Sequence, residues 1–294
     1  MALGTALQSL SRREQLNFLL TNRIPRRWAT LFMGRFSHIR QPLIRRLSMY
    51  LWQLFAGDLQ LHEARESRFE SMHDCFIRKL KPGARPIDTA PEVVVSPCDG
   101  VVGAFGPIRG TRVFQAKGYP YELEELLGDG ELADRYRNGV FATLRIKASM
   151  YHRFHAPDAC RLGTVHYMSG DTWNVNPIAL KRVERLFCRN ERAVLELDLT
   201  GTGPLEPDAH LLLVAVAAIL VASIRLHALP IPLNLRYAGR NRIPCNACYQ
   251  RGEEMGYFEQ GSTMLAFAAR GLRLHPDLYE GREIRMGQPL FLRV

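Results

Sequence analysis

Hydrophobic and polar positions fall into two regimes along this chain of 294 residues. Up to about residue 62, apolar side chains recur at helical spacing between arginines, and Pro25 and Pro42 interrupt the pattern. From Val93 onward, short valine-rich runs, some of them strictly alternating, indicate strands. The pattern therefore predicts basic amphipathic helices followed by a β-rich region.

A helical connector is predicted around Glu63 to Arg78, and two further helices at about Tyr121 to Tyr136 and Pro177 to Phe187. Strands are predicted, in chain order, at Val93–Val95, Val101–Val102, Arg112–Phe114, Val140–Lys147, Ala193–Leu199, Leu211–Leu226, Thr263–Ala268 and Leu290–Val294. Because strands and helices do not alternate regularly, we expect an α+β fold with a sheet or barrel-like β core, not a doubly wound parallel sheet.

The net charge of +10 is concentrated at the N-terminus. The first 55 residues carry nine arginines and a single acid, Glu14, and aromatic and aliphatic residues lie between the arginines. Cationic and apolar faces on one helix are typical of a segment lying in the plane of an anionic membrane, whereas nucleic-acid binding requires less apolar surface. A pair of helices docked on the chain's own domain is the structural alternative.

No signal peptide is apparent, and the longest apolar run, Leu211 to Ala222, is too short to span a bilayer and is better interpreted as a buried strand. Six scattered cysteines do not resemble a disulfide framework. Cys245 and Cys248 would supply only half a zinc site, so we assign no metal. The expected location is the cytoplasmic face of the cell membrane, to which the protein would bind peripherally.

The candidate chemistry centres on Gly261-Ser262-Thr263. A serine can attack the peptide bond that precedes it where a glycine lets the backbone bend, but it needs a base, usually a histidine oriented by a carboxylate. Upstream, Asp99 and His155 supply these two types of group. Neither Gly261-Ser262 nor Asp99-Gly100 alone indicates this chemistry, because both dipeptides are equally typical of turns.

As an ordered set, these segments resemble the phosphatidylserine decarboxylase family, which depends on a pyruvoyl group. The likeness extends from about Phe69 to Leu290, with two departures: Gln260 where the family usually has leucine, and alanines in Val216-Ala217-Ala218 and Val221-Ala222-Ser223-Ile224. The blocks that carry it are Phe76–Leu80, Arg85–Thr89, Asp99-Gly100, Gln115–Gly118, Tyr151–His155, Phe187–Arg192, Gly252–Gly256, Gly261–Thr263 and Met286–Leu290.

The resemblance implies a membrane-associating region at residues 1–62 and a catalytic domain at 63–294 that cleaves itself between Gly261 and Ser262. The large chain 1–261 and the small chain 262–294 would stay associated. Ser262 would attack Gly261, with His155 as the base and Asp99 as its orienter, and would become a covalent pyruvoyl group. That group would form a Schiff base with phosphatidylserine and release CO₂, giving phosphatidylethanolamine. A homodimer of the processed pair is left open.

His152 is the candidate proton donor for the decarboxylation. On a regular strand, His152 and His155 would face opposite sides, because side chains alternate with a period of two. We therefore expect a bulge or a helical turn between them, with Pro157 just beyond. A packing histidine is the alternative interpretation of His152.

Weaker candidates have equally good structural explanations. Asn174 and Asn176 suit either a substrate pocket or loop turns, and Arg78 and Lys79 suit either a lipid phosphate or a solvated surface. Four further histidines are expected to be structural: His166, His210, His227 and His275.

Three other functions remain open on sequence alone. A pyruvoyl decarboxylase of a soluble amino acid would not need the N-terminal region. A serine hydrolase built from Ser262, His155 and Asp99 lacks the G-x-S-x-G elbow that would expose its nucleophile. An unprocessed membrane-binding module would not use the Gly261-Ser262 bond at all.

Overall fold

The computed structural model describes residues 15, 18–19, 22–115, 119–200, 210–220, 222–259 and 262–294. Two N-terminal helices begin at the prolines where the sequence predicts breaks in the helical pattern. Helix α1 (Arg26–Phe36) follows Pro25, and α2 (Pro42–Ala56) begins at Pro42 itself. Proline suits the first turn because its missing N–H has no helical partner there. The side chain of Gln41 accepts a hydrogen bond from the Ile44 N–H and so caps α2.

The connector is less helical than predicted. It contains one 3₁₀ turn (Leu61–Glu63) and one short helix, α3 (Met72–Phe76), and the residues between them are not helical. Ser71 starts α3 by accepting a hydrogen bond from the Asp74 N–H at 3.1 Å. Intrinsic helix propensity is a weak prior, and here only the last turn, which buries Cys75 and Phe76, remains helical.

An eight-stranded antiparallel sheet forms the centre of the fold, in the order β12-β7-β8-β9-β14-β5-β2-β16. The strands of this sheet are β2 (Gly100–Pro107), β5 (Val140–Ile146), β7 (Cys160–Met168), β8 (Arg192–Leu199), β9 (His210–Ala217), β12 (Arg242–Tyr249), β14 (Ser262–Ala268) and β16 (Glu283–Ile284).

Smaller sheets complete the β structure: β1-β17-β15, β11-β10-β13-β6 and the β3-β4 hairpin. Their strands are β1 (Val93–Val95), β3 (Arg112–Phe114), β4 (Pro120–Glu122), β6 (Arg153–His155), β10 (Ser223–Leu226), β11 (Leu233–Asn234), β13 (Glu254–Phe258), β15 (Leu272–Leu274) and β17 (Pro289–Arg293). All strand pairs in the described ranges are antiparallel, and the mixed α+β class is confirmed.

The central strands are buried on both faces. In β9, Leu213 and Ala215 belong to a core shared with the smaller sheets, whereas Leu212 and Val214 belong to a second core under the helices. This burial on both faces explains why polar and apolar residues do not alternate in the apolar run from Leu211 to Ala222. The run is not one strand, however, since β9 ends at Ala217 and Ser223 begins β10 in another sheet.

Four short helices cover the second core. The predicted helix at 121–136 is split into α4 (Leu123–Leu127) and α5 (Gly130–Arg135) by Gly128, whose φ is +71°. The predicted helix at 177–187 is likewise two turns, α6 (Pro177–Leu180) and α7 (Leu186–Arg189). The helices predicted in these two places exist, but each is interrupted.

Candidate active site

Ser262 is the first residue of β14 and is held from both sides. Its backbone pairs with Ile146 on β5 and with Ala217 on β9. The side chain is fully buried, and within the described part of the chain its Oγ has no hydrogen-bond partner. Buried hydroxyls are almost always hydrogen-bonded, so this one, like that of Ser223, is an exception that needs an explanation. Gly261 and Gln260, on the other side of the predicted scissile bond, lie outside the described residues.

A cavity of about 990 Å³ opens beside Ser262 between the sheet and the N-terminal helices. Its walls are mainly apolar side chains of α1, α2 and α3, and Asn174 and Asn176 lie in the wall as the sequence suggested. Apolar lining residues include Met33, Phe36, Leu47, Leu51, Trp52, Phe55, Met72, Phe76, Val175 and Ile219. A volume of this size, mostly apolar with few polar groups, is typical of a site for a large apolar ligand.

Asp99 is buried in an ionic cluster. Its carboxylate accepts hydrogen bonds from Arg85 Nε at 2.9 and 3.0 Å, from Arg85 Nη2 at 2.6 Å and from the Met286 N–H at 2.9 Å. Glu63 approaches the same guanidinium at 2.8 Å. Such a bidentate arrangement fixes a carboxylate strongly in place. The sequence pattern places Arg85 in the block Arg85–Thr89 but does not predict it as the partner of Asp99.

Gly100 begins β2 and is not part of a hairpin turn. A Cβ at this position would lie 3.2 Å from the Leu144 Cβ on the neighbouring strand. The glycine therefore permits close strand packing next to Asp99, and the predicted turn is wrong.

His155 ends β6, next to the Asp99 segment. Its backbone N–H donates to the Pro97 carbonyl at 2.7 Å. Its ring Nδ1 donates to the Gly252 carbonyl at 2.9 Å, which leaves Nε2 as an acceptor for the Tyr151 hydroxyl at 3.0 Å. Burial lowers the pKa of His155, while the bond to Gly252 and the charges of Glu254 and Asp99 act in the opposite direction. The lowered pKa favours the neutral form of the ring.

Ser262, His155 and Asp99, which are predicted to act together in self-cleavage, lie in separate hydrogen-bond environments. His155 is oriented by Gly252 and Tyr151, Asp99 is held by Arg85, and Ser262 Oγ is unpaired within the described residues. Asp99 lines a different, smaller cavity of about 100 Å³. The backbone hydrogen bond from His155 to Pro97 brings the His155 and Asp99 segments together. Their joint action with Ser262 stays a prediction.

His152 is fully buried immediately before β6. Its Nδ1 donates to the Met150 carbonyl at 2.8 Å, and its ring packs on Phe76 with the centroids 3.9 Å apart. Burial, followed by the nearby charge of Arg78, lowers the pKa of His152 to about 3. Its Nε2 consequently carries a lone pair and has no partner in the described part of the structure. Phe76 lines the large cavity, so His152 lies directly behind the cavity wall.

The two histidines do not meet through a turn between them. The chain is extended from Arg153 to His155, and the irregularity lies in the partner strand β13, where Met255 is the extra residue of a bulge. Gly256 follows the bulge, and a Cβ there would lie 2.1 Å from the Arg225 carbonyl oxygen. The sequence predicts a bulge or a helical turn between the two histidines, in the segment that forms β6. The structure has the bulge in the partner strand β13 instead.

Arg78 is a structural residue. It is buried and donates to the carbonyls of Leu59 and Ser149 at 2.9 Å each, so it does not serve a lipid phosphate at the surface. The remaining histidines have local partners: His166 bonds Glu196 at 2.5 Å, and His227 bonds Glu254 at 2.6 Å.

Cys245 and Cys248 lie on the exposed edge strand β12 as free thiols. Within the described ranges, no group of three or more histidine, cysteine or acidic residues is arranged to hold a metal ion. No helix in the same ranges combines the length and the apolar character needed to cross a membrane.

Comparisons with known proteins agree on one family. The family model described as phosphatidylserine decarboxylase matches residues 72–292. A phosphatidylserine decarboxylase proenzyme of Methylibium petroleiphilum is 37% identical, over 94% of this chain and 97% of its own length. Proteins of the same name from Vibrio cholerae and Pseudomonas fluorescens are 35% and 40% identical, over 90% and 82% of this chain and 94% and 83% of their own lengths.

The Arg85–Asp99 pair should matter more to stability than an exposed ion pair. Both side chains are below 5% exposed, and Arg85→Leu would leave the Asp99 charge buried with only the Met286 N–H. We expect a loss of about 3 kcal/mol or more in unfolding free energy, measured by urea titration. Arg112→Leu, which breaks the exposed pair with Glu122, is the control and should cost less than about 1 kcal/mol. Equal midpoints for the two variants would contradict the assignment.

The buried, neutral state of His152 should appear in the pH dependence of stability. Because its pKa falls from 6.5 to about 3 on folding, the unfolded chain binds the extra proton, and stability present above pH 6.5 is lost as the pH falls towards 3. The His152→Asn variant should lose less stability over this window, by up to about 1.4 kcal/mol per pH unit. His62→Asn, at an exposed histidine, should follow the wild type. Parallel curves for wild type and His152→Asn would show that this histidine is not buried neutral.

Proposed function

Because this chain belongs to the phosphatidylserine decarboxylase family, we propose that it is a proenzyme that cleaves itself between Gly261 and Ser262 and then converts phosphatidylserine to phosphatidylethanolamine and CO₂. The observation that carries the proposal is the environment of Ser262. Its hydroxyl is fully buried and unpaired within the described residues, its backbone is fixed on both sides, and it borders a large apolar cavity.

The self-cleavage uses a serine on its own preceding peptide bond. Ser262 Oγ would lose its proton to a base and attack the Gly261 carbonyl carbon, and breakage of the C–N bond would leave an ester. β-Elimination would then expel the Gly261 carboxylate and leave a dehydroalanine at position 262. Uptake of one water and release of ammonia would convert that residue into the pyruvoyl group. The step needs a positioned base, as serine proteases do.

His155 is the proposed base and Asp99 its electrostatic support. The imidazole is neutral, and its Nδ1–H is fixed on Gly252, so the lone pair is on Nε2. The Tyr151 hydroxyl donates a hydrogen bond to that lone pair in the uncut chain. His155 Nε2 must therefore lose its bond to Tyr151 before it can accept the proton of Ser262. Buried Asp99 then favours the imidazolium that forms, because its negative charge raises the pKa of His155.

For the second reaction, the pyruvoyl carbonyl supplies an electron sink through a Schiff base with the substrate amine. The substrate amine arrives as an ammonium and must lose a proton before it can react. His152 is the proposed donor of the proton that returns to the carbon that loses CO₂, because its Nε2 has no partner in the described structure. Burial keeps this ring neutral at rest, so it would carry the proton only transiently. The surrounding wall is mainly apolar and includes Phe76.

A lipid substrate fits the cavity better than a soluble amino acid does. Side chains of α2, including Leu47, Leu51 and Phe55, both line the cavity and are exposed at its mouth. Further apolar residues of α1 and α2, Trp28, Phe32 and Leu43, are exposed although they do not line the cavity. We propose that residues 1–62 rest on the anionic cytoplasmic face of the cell membrane and that lipid enters beside α2 into the catalytic domain at residues 63–294.

The topology supports continued association of the two fragments. The small chain 262–294 would consist of β14, β15, β16 and β17, and β14 is an inner strand of the eight-stranded sheet. Strand β17 pairs with β1 and β16 pairs with β2, both from the large chain. Many backbone hydrogen bonds would therefore hold the cleaved pieces together.

Self-cleavage should require Ser262 and His155. The purified wild type should give two fragments on denaturing electrophoresis, with intact mass placing the break after Gly261, whereas Ser262→Ala and His155→Ala should each remain one chain of 294 residues. Asp99→Asn should slow the cleavage.

Ser223→Ala is the matched control, since Ser223 is also buried with an Oγ that lacks a partner in the described residues, and it should cleave normally. An uncut wild type would contradict the pyruvoyl mechanism and favour an unprocessed membrane module. Normal cleavage of His155→Ala would remove His155 as the base.

Membrane binding should depend on the exposed apolar residues of α1 and α2. Replacing Trp28, Phe32 and Leu43 with serine should weaken binding to vesicles of anionic phospholipid at least about 100-fold in a sedimentation assay, because burying each such side chain contributes roughly 1.5–3 kcal/mol. Tyr279→Ser removes an equally exposed aromatic residue outside this region and should have no effect. Unchanged binding of the triple variant would exclude α1 and α2 as the docking surface.

A further inference from the structure

Arg145, the penultimate residue of β5, is a cation in the wall of the Ser262 cavity. Within the described residues, its guanidinium forms no ion pair or hydrogen bond, and no aspartate or glutamate lines the cavity. The other cation in the wall, Lys147, is already paired with Glu283. Arg145 is thus a positive charge at the reaction site that the self-cleavage and decarboxylation steps leave unused.

The surroundings of Arg145 disfavour its charge. Its side chain is largely desolvated, and burial lowers its pKa with no opposing contribution from a nearby carboxylate. A partly buried cation without a counter-ion is costly to the folded chain, and such groups are usually paired. An anionic ligand in the cavity would supply the missing charge.

The strand register places Arg145 one residue from the reacting position. Ser262 pairs with Ile146, and Thr263 pairs with Arg145, so the two polar side chains leave neighbouring positions at the ends of β5 and β14. Paired residues share a face of the sheet, so Ser262 and Arg145 leave opposite faces at neighbouring positions. Both residues nevertheless line the same cavity. Opposite Arg145, the buried Thr263 Oγ1 also lacks a partner within the described chain.

We propose, on the basis of the proposed function, that Arg145 binds the phosphodiester of the phospholipid substrate and thereby selects phosphate-bearing substrates. A serine headgroup separates its amine from its phosphodiester by a short two-carbon spacer, so an amine bound at position 262 would hold the phosphodiester in the same cavity that Arg145 lines. The substrate carboxylate is the less suitable anion. A cation paired with it would stabilise the ground state more than the transition state, in which that negative charge leaves as CO₂. Guanidinium groups match phosphate geometry well.

The test compares two substrates that differ in the phosphate. Dispersed short-chain phosphatidylserine carries the amine, the carboxylate and the phosphodiester, whereas O-acylserine carries only the first two. With Arg145→Gln, kcat/KM for phosphatidylserine should fall about 10- to 100-fold, mainly through KM, and kcat/KM for O-acylserine should change little. Arg145→Lys should recover part of the loss. Arg273→Gln, an exposed strand arginine, is the matched control and should behave as wild type.

A second measurement uses headgroups alone. Glycerophosphoethanolamine should inhibit the wild type more strongly than Arg145→Gln, and ethanolamine should inhibit both equally. Equal losses on both substrates, unchanged kinetics on phosphatidylserine, or failure of Arg145→Gln and Arg145→Lys to self-cleave would each overturn the proposal. A wild type that releases no CO₂ from phosphatidylserine would instead contradict the proposed function, before any variant is made.

Discussion

The pairing of β14 with β5 and β9 is the constraint on which the site depends. Along its whole length, from Ser262 to Ala268, β14 is hydrogen-bonded to β5 on one edge and to β9 on the other, and every residue of it is buried. Ser262, the proposed nucleophile, is therefore held in position by the sheet, and its proposed reactivity depends on the groups that the surrounding loops and the cavity bring to it. Positions on regular elements hold catalytic geometry more accurately than positions on loops.

Some of the buried polar groups that lack a partner among the described residues lie at or beside the Ser262 cavity. Ser262 Oγ, Thr263 Oγ1 and His152 Nε2 are all buried without a partner among the described residues, although a well-packed core normally pairs such atoms. By contrast, Asp99 is held by Arg85 and by the Met286 N–H. The Asp99 carboxylate is thus fixed by Arg85 and Met286, whereas Ser262 and His152, which we propose take part in the chemistry, keep unpaired atoms within the described residues. A reactive site requires both.

Sequence reasoning succeeded where local pattern and burial agree. Strands β3 and β14 were placed to within one residue, because short β-branched or apolar runs carry their own signal. Strand β12 was missed because it is an edge strand that contains Pro244 and exposes alternate residues. The partners of the site were also missed. Arg85 lies 14 residues before Asp99, with no regular element that would predict their contact, and Arg145 joins Thr263 only through the β5–β14 register. Contacts of this kind depend on topology, which the linear pattern does not specify.

The position of β14 inside the sheet also affects how the protein can recover from denaturation. Before cleavage, β14 and its neighbours β5 and β9 belong to one chain, so folding is unimolecular. After cleavage as proposed, the same inner strand would belong to a separate polypeptide of 33 residues, and restoring the sheet would require two molecules to find each other. The lifetime of the mature protein would then be set by its rate of unfolding and not by a reversible folding equilibrium. Dilution would oppose its renaturation, because the two fragments must first associate.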